Sequence, residues 1–527
     1  MATITVEQAF HTAVAFQQAG QWEAAEKLYR QIVLAQPGKV EAWQQLGFLA
    51  SMARCHEEAL AHFRRVVELR PELADGHNNL GAALTEIGAW DEAAVSFQRA
   101  LALDPRLAEA HSNLGRVLTR QGHYDEAIAA IEGALRLQPD LAGTYGNLGH
   151  ALFRSGRFEE AVTCYRQWIA RHPQDATAHR SLGHVFLFLG RFDEGWREFE
   201  WRRRDPSAAW VHRHFAQPRW EGQAMPGGTL LLHAEQGFGD ALQFMRYLPR
   251  VMPRAAARQV IVECPPELVR LLRQSVDESV KVVPRATGSE GELPPFDRHC
   301  ALMSLPFALG EPEPLTMAEP YLRADPELRA AWQARLGSTA KMRVGLAWAG
   351  SRVHVNDHLR SIAARDLVPL RLAHRDVEFY SLQVEADETE TRPLREAGLI
   401  DLTSHLMDFA DTAAIVAELD LIISVDTAVI HLAGALGRPV WTLLPFAPDW
   451  RWGAERQDTR WYPTMRLFRK KALENWPAVI QRVAEELRSV VEGDSWLSSR
   501  VILRQGSRCA GLLVGQEPGK VERRCAV

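Results

Sequence analysis

Two short segments of the 527-residue chain carry residue types suited to handling a charged ligand. In the first, Glu235-Gln236-Gly237-Phe238-Gly239-Asp240, the glycines let the main chain turn sharply and come close to a ligand, and the Asp240 carboxylate is expected to point into a cleft. It is not a phosphate-binding P-loop, because the Lys-Ser/Thr pair is missing, and Leu242 stands where a dinucleotide fold places its third glycine. Glu263, near the end of the next expected strand, is the one residue that favours a dinucleotide reading. The second segment runs from Ile422 through Ser424, Val425, Asp426, Thr427, Ala428 and His431 to Pro439. Here a buried apolar run passes straight into a helix that carries Asp426 and Thr427 at its start and stops at Gly437, so its first N–H groups offer an anion site. The same residues also have purely structural uses. Asp240 and Asp426 can cap helices, and His431 can be a satisfied imidazole on a half-buried face.

Positioning these residues requires strands that end beside them. After Arg204 a connector rich in Pro, Gly and Trp spans 206–228, and the texture then becomes that of alternating strands and helices. Thr229–His233, Arg258–Cys264 and Val280–Pro284 are expected as strands of a first lobe over 229–325, with Ala241–Leu248 helical. A second lobe over 326–490 is expected to contain strands at Arg343–Trp348, Glu378–Leu382, Leu419–Asp426 and Pro439–Leu444. Two successive α/β lobes place a ligand cleft at the carboxyl ends of their strands. Trp450, Trp452, Trp461 and Tyr462, interleaved with Asp449, Arg451 and Arg460, either close over a base by stacking or pack a C-terminal segment against both lobes, and packing is the commoner arrangement. Residues 491–527 have little periodicity and are expected to form a poorly ordered tail.

The Gly-Asp of the first lobe, together with the Asp-Thr-x-x-x-His-Leu-Ala-x-Ala-Leu pattern at Asp426–Leu436, resembles the heptosyltransferase family of GT-B glycosyltransferases, glycosyltransferase family 9, over roughly residues 229–490. That resemblance implies a GT-B module of two Rossmann-like lobes. It implies Asp240 as the general base and Gly237, Gly239, Asp426, Thr427 and His431 as the surroundings of a nucleotide-diphosphate sugar donor. Ala428 departs from the glycine often found there, and the family's phosphate-binding lysine has no match. The loop Asn356–Ser361 occupies the corresponding place, which makes Arg360 the substitute cation. No Asp-x-Asp pair occurs in this half, so no metal is indicated, and no cofactor is expected beyond the donor as substrate.

Before the connector, one period governs everything. Pro37, Pro71, Pro105, Pro139 and Pro173 are 34 residues apart, and so are the Leu-Gly pairs ending at Gly47, Gly81, Gly115, Gly149 and Gly183. Small residues from Ala25 to Ala161 and large ones (Tyr29, Phe63, Phe97, Ile131, Tyr165, Phe199) keep the same register. Small residues let paired helices approach, the large ones are expected to fill the space between neighbouring units, and the prolines are expected to open the next helix at its first turn. The pattern resembles the tetratricopeptide family over residues 1–205, as an α-solenoid of about six units. Such an array implies a concave groove for a peptide or protein partner. Asn79, Asn113 and Asn147 resemble the asparagine ladder of protein O-GlcNAc transferases, which share this domain order. Side-chain amides both donate and accept, so a row of them can pair with an extended backbone of any sequence; the alternative is bonding within their own units.

A net charge of -5 gives no electrostatic reason to expect nucleic acid. Six cysteines without C-x-x-C spacing, no signal-like start and no long apolar run together imply a cytoplasmic protein with no transmembrane segment. The resulting expectation is an inverting, metal-independent glycosyltransferase whose protein or glycan acceptor is recruited through the repeats. The alternative is a non-catalytic tetratricopeptide adaptor with a degenerate GT-B domain. An oxidoreductase is a weaker third reading, disfavoured by Leu242 and by the lack of an evident proton relay.

Overall fold

The computed structural model describes residues 5–493 apart from 212, 214, 286–292, 353, 355, 385 and 473, so most of the expected tail lies outside the described residues. The chain divides into two compact units, residues 1–186 and 187–527.

The first unit is a stack of antiparallel helix pairs: α1 (Val6–Gln18) with α2 (Trp22–Ala35), α3 (Val40–Met52) with α4 (His56–Leu69), α5 (Ala74–Glu86) with α6 (Trp90–Leu103), α7 (Ala108–Gln121) with α8 (Tyr124–Leu137), and α9 (Thr144–Arg154) with α10 (Phe158–Arg171). The division between the units falls inside α11 (Ala176–Phe188), and α12 (Phe192–Phe199) belongs to the second. In the α3/α4, α5/α6 and α9/α10 pairs a glycine faces a ring, and in α7/α8 Gly115 faces Ile131. A Cβ on Gly47 would lie 2.6 Å from the Phe63 ring and one on Gly81 2.7 Å from Phe97. The large residues therefore fill the approach between the two helices of one unit, and Tyr165 also reaches Ser181 of the next unit. The proline expectation is also corrected. Pro37 and Pro71 sit in turns before helices that begin at Val40 and Ala74, where the fixed φ suits the turn. Their carbonyls are used instead: Trp43 Nε1 donates to Pro37 O at 2.9 Å, and the imidazoles of His77, His111 and His179 bond to the carbonyls of Pro71, Pro105 and Pro173 at 2.9–3.0 Å.

The second unit contains two parallel sheets. In the first, β1 (Thr229–His233), β2 (Gln259–Cys264), β3 (Val280–Pro284) and β4 (Arg298–Ala301) lie in the order β3-β2-β1-β4. In the second, β5 (Met342–Ala347), β6 (Val377–Ser381), β7 (Leu421–Val425), β8 (Val440–Leu444) and β9 (Met465–Arg469) lie in the order β6-β5-β7-β8-β9. All pairings of neighbours are parallel. Strands such as Leu230-Leu231-Leu232 are wholly buried, and each such side chain contributes about 1.5–3 kcal/mol. The expected strands are all present. β4 and β9 were not foreseen because their mixed residues (Arg298-His299-Cys300-Ala301, Met465-Arg466-Leu467-Phe468-Arg469) lack a continuous apolar run. The connector is not a bare loop: Arg219 bridges to His299 of β4, and Trp220 N donates to His299 O at 2.8 Å. Gly222 is required there, since its φ is +90° and a Cβ would come within 1.9 Å of Ala308 O.

Candidate active site

Both chemistry-bearing segments follow the carboxyl ends of central strands. β1 ends at His233 and leads through Ala234–Gly237 into α13 (Phe238–Phe244). β7 ends at Val425 and leads through Asp426 and Thr427 into the helix Ala428–Ala435. In the second sheet the chain order reverses between β5 and β7, so Gly350, beyond β5, and Asp426, beyond β7, flank the switch point at which α/β sheets form a crevice.

The two helices pack at their N-terminal ends, and Gly239 makes this possible. A Cβ there would lie 2.8 Å from His431 Cδ2 and 3.6 Å from the Cα of Ala428. Gly237 is the exposed N-cap residue of α13. Asp240 Oδ2 accepts the Gly237 N–H at 3.1 Å, and Oδ1 accepts from Arg451 Nη2. The helix-capping use of Asp240 is thus realised, with its side chain still 18% exposed. Burial pushes its carboxyl above the usual range, while the Arg451 guanidinium pulls it back down.

Asp426 Oδ2 accepts from Trp452 Nε1 at 2.9 Å. Burial, reinforced by the neighbouring Asp449 charge, raises its carboxyl to about 6. Thr427 is the N-cap residue of the Ala428–Ala435 helix, yet its side chain does not cap the first turn; its hydroxyl bonds Ser424 Oγ at 3.1 Å. Arg360 donates to the Asp426 carbonyl at 3.0 Å and lies against Gly350, where a Cβ would come within 2.3 Å of its guanidinium. His431 is enclosed. Its Nδ1 bonds the Tyr462 hydroxyl at 2.9 Å, its ring stacks on Trp452 at 5.6 Å, and burial holds it well below the ordinary imidazole range, hence neutral. It shapes the site through Gly239 and Trp452.

Gly237, Gly239, Asp240, Arg360, Asp426, Thr427 and His431 are therefore brought together. Asn79, Asn113 and Asn147 belong to the repeat unit, each half-buried. Asn113 Nδ2 donates to Asn78 Oδ1 and Asn147 Nδ2 to Ser112 Oγ, both at 3.1 Å, so these amides tie α7 to α5 and α9 to α7 across neighbouring units. Glu263 is wholly buried and paired with Arg213, which occupies the carboxylate a dinucleotide ribose would need. Trp450, Trp452, Trp461 and Tyr462 are all buried, in keeping with the packing role. The residue that sequence reasoning did not single out is Arg451. Its signal was present, as a cation set between two tryptophans and two residues after Asp449, but nothing local connects it to Asp240, which lies 211 positions away.

Tetratricopeptide repeat models match residues 12–74, 147–209 and 106–171, and a TPR repeat model matches 81–122. A glycosyltransferase family 9 (heptosyltransferase) model matches residues 391–457. The chain joins tetratricopeptide repeats to a glycosyltransferase family 9 region. That match takes in Asp426, Thr427, His431 and Arg451, while Asp240 and Arg360 lie outside it. Protein FlbA of Caulobacter vibrioides (strain ATCC 19089 / CIP 103742 / CB 15) is 28% identical over 319 residues, 56% of this chain and 52% of FlbA; the chain thus spans about half the length of this curated relative. Among solved structures, the MamA protein is similar at 25% identity over 32% of this chain and 92% of MamA, with a TM-score of 0.29. PilW, a type IV pilus biogenesis factor, is similar at 19% identity over 38% of this chain and 93% of PilW, with a TM-score of 0.35. Among the described residues no helix is long and apolar enough to cross a membrane.

Proposed function

We propose that residues 229–490 form a GT-B glycosyltransferase that moves a sugar from a nucleotide-diphosphate donor to an acceptor recruited through the repeats, with inversion and without a metal. The observation that carries this reading is the meeting of Asp240 and the start of the Ala428–Ala435 helix beside the carboxyl ends of β1 and β7. In this reading the first N–H groups of that helix, Thr427 and Arg360 receive the diphosphate, and the local helix dipole favours its negative charge. Asp240 takes the proton from the acceptor hydroxyl as its oxygen attacks the anomeric carbon. The bond from that carbon to the diphosphate breaks, and the departing nucleoside diphosphate keeps the electron pair. A single displacement of this kind inverts the anomeric centre. The family 9 match and the repeats support a glycosyltransferase-like protein with a binding partner, and the repeats favour a peptide or protein acceptor.

The test is a thermal-shift screen of the full chain against nucleoside diphosphates and their sugar conjugates. A hundredfold excess over the dissociation constant stabilises the bound protein by about 2.7 kcal/mol. Asp240→Asn is expected to keep donor binding and lose about 10²–10⁴-fold in transfer. If no conjugate stabilises the protein, the adaptor reading replaces the transferase.

A further inference from the structure

One short turn reaches both aspartates. Trp450–Trp452 is a single 3-10 turn capped by Asp449, whose carboxylate accepts the Arg451 N–H at 3.2 Å. From this turn Trp452 bonds Asp426, the aspartate that follows β7, while Arg451 donates Nη2 to Asp240, on the helix that follows β1. Arg451 also donates Nη1 to Asp449 at 2.7 Å and Nε to Gln243, and its guanidinium lies 4.4 Å from the centre of the Trp450 ring. Its carbonyl accepts the Trp461 indole N–H at 3.2 Å, which fixes the backbone of the turn. Only 7% of the Arg451 side chain is exposed.

This arrangement conflicts with a base at work. A carboxylate paired with a guanidinium must give up a charge-assisted hydrogen bond to take a proton, so Asp240, although burial raises its carboxyl, is a weaker base beside Arg451 than it would be without it. Arg360 does not relieve the conflict, because it is tied to the Asp426 carbonyl and packed on Gly350. A guanidinium has five N–H donors, however, and the Asp449 and Gln243 bonds can hold one part of Arg451 while the edge facing Asp240 changes partner. A nucleoside diphosphate seated at the Ala428–Ala435 helix start brings more negative charge than one carboxylate does.

We propose that Arg451 is a shared cation of this site: it holds Asp240 while the donor is absent, and turns to the donor's phosphate when the donor binds, releasing Asp240 to accept the acceptor's proton. The inference rests on the transferase reading and adds a binding order to it, donor before acceptor. The acceptor proton goes to Asp240, and the cation that Asp240 gives up meets the electron pair arriving on the leaving diphosphate.

The full chain is titrated calorimetrically with UDP, GDP, ADP, CDP and dTDP, and the tightest binder is carried forward. Asp240→Asn removes the competitor for Arg451 and is expected to tighten that nucleotide about fivefold or more. Arg451→Met is expected to weaken it about tenfold or more, and in the Arg451→Met background Asp240→Asn should change affinity by less than about twofold. Tightening that persists without Arg451 is a field effect and overturns the proposal. Should Arg451→Met not fold, a lack of tightening in Asp240→Asn still overturns the proposal. Titration between pH 5 and 7, in buffers of different ionisation enthalpy, should show extra proton uptake on binding in wild type that Asp240→Asn lacks; equal uptake overturns the proposal. If none of the five nucleotides binds wild type, the transferase reading falls and takes this inference with it; binding that is indifferent to Arg451 removes the inference alone.

Discussion

In the repeat unit a glycine finds its partner ring sixteen residues along the chain, as Gly47 finds Phe63 and Gly81 finds Phe97, whereas in the α/β unit a buried arginine finds its partners far away. Arg202, fully buried, bonds Glu235 at 2.6 Å and Ser304 at 2.8 Å, 33 and 102 positions on. Arg246 donates to Trp461 O at 2.6 Å across 215 positions and to Tyr321 OH at 3.1 Å. The first kind of contact repeats and involves apolar side chains. The second occurs once and involves charge, so removing one partner strands another in a place where water cannot compensate for it. The repeat unit thus repeats one local apolar contact, while the α/β unit adds to its buried apolar strands a few singular contacts that are costly to break.

Arg202→Met is the strongest way to break this contrast. It leaves Glu200 and Glu235 buried without their shared cation and is expected to cost about 3–5 kcal/mol in urea denaturation. Hydrogen exchange should then show protection lost in 187–493 and kept in 5–186; equal loss in both would erase the distinction. Gly81→Ala is expected to cost about 1–3 kcal/mol, because Phe97 is buried and has nowhere to retreat from the added methyl, and exchange should rise first in α5 and α6.

A smaller effect is expected from pH. Asp426 titrates at about 6 in the folded protein against 3.8 without its surroundings, so the folded state holds the proton more tightly. Its contribution to stability is complete below pH 3.8 and is lost as pH rises through about 6. Denaturation of wild type and Asp426→Asn from pH 4 to 7 should show wild type losing stability relative to the variant across that window; parallel curves would refute the buried, protonated state. The smallest effect is expected from Asn113→Ala, which removes one partly accessible bond to Asn78, for about 0.5–1.5 kcal/mol, without altering exchange in the α/β unit.

How much was legible follows the same contrast. The period of 34 exposed the helix pairs directly, because each repeat solves its packing with residues close in sequence. Strands with apolar runs were legible, the edge strands β3 and β6 among them, while β4 and β9 were not, since their composition is mixed. Asp240, Asp426 and Gly239 were found because turns at strand ends have their own residue types. The proline series was correctly counted but given the wrong job, and the large-residue series was given only part of its job, since period alone does not say which helix a side chain faces.

The amino-acid sequence by itself determined the helix pairs, the alternation of strands with helices and the two turns that carry the aspartates. Each of these depends on propensities and periodicities that act over a few residues or one repeat. Only the tertiary structure decided that His431 is enclosed and neutral, that Glu263 is taken by Arg213, and that Arg451 joins Asp240. The reason is physical: burial and charge pairing depend on which side chains meet once segments 31 to 211 residues apart are brought together, and no local pattern encodes that meeting.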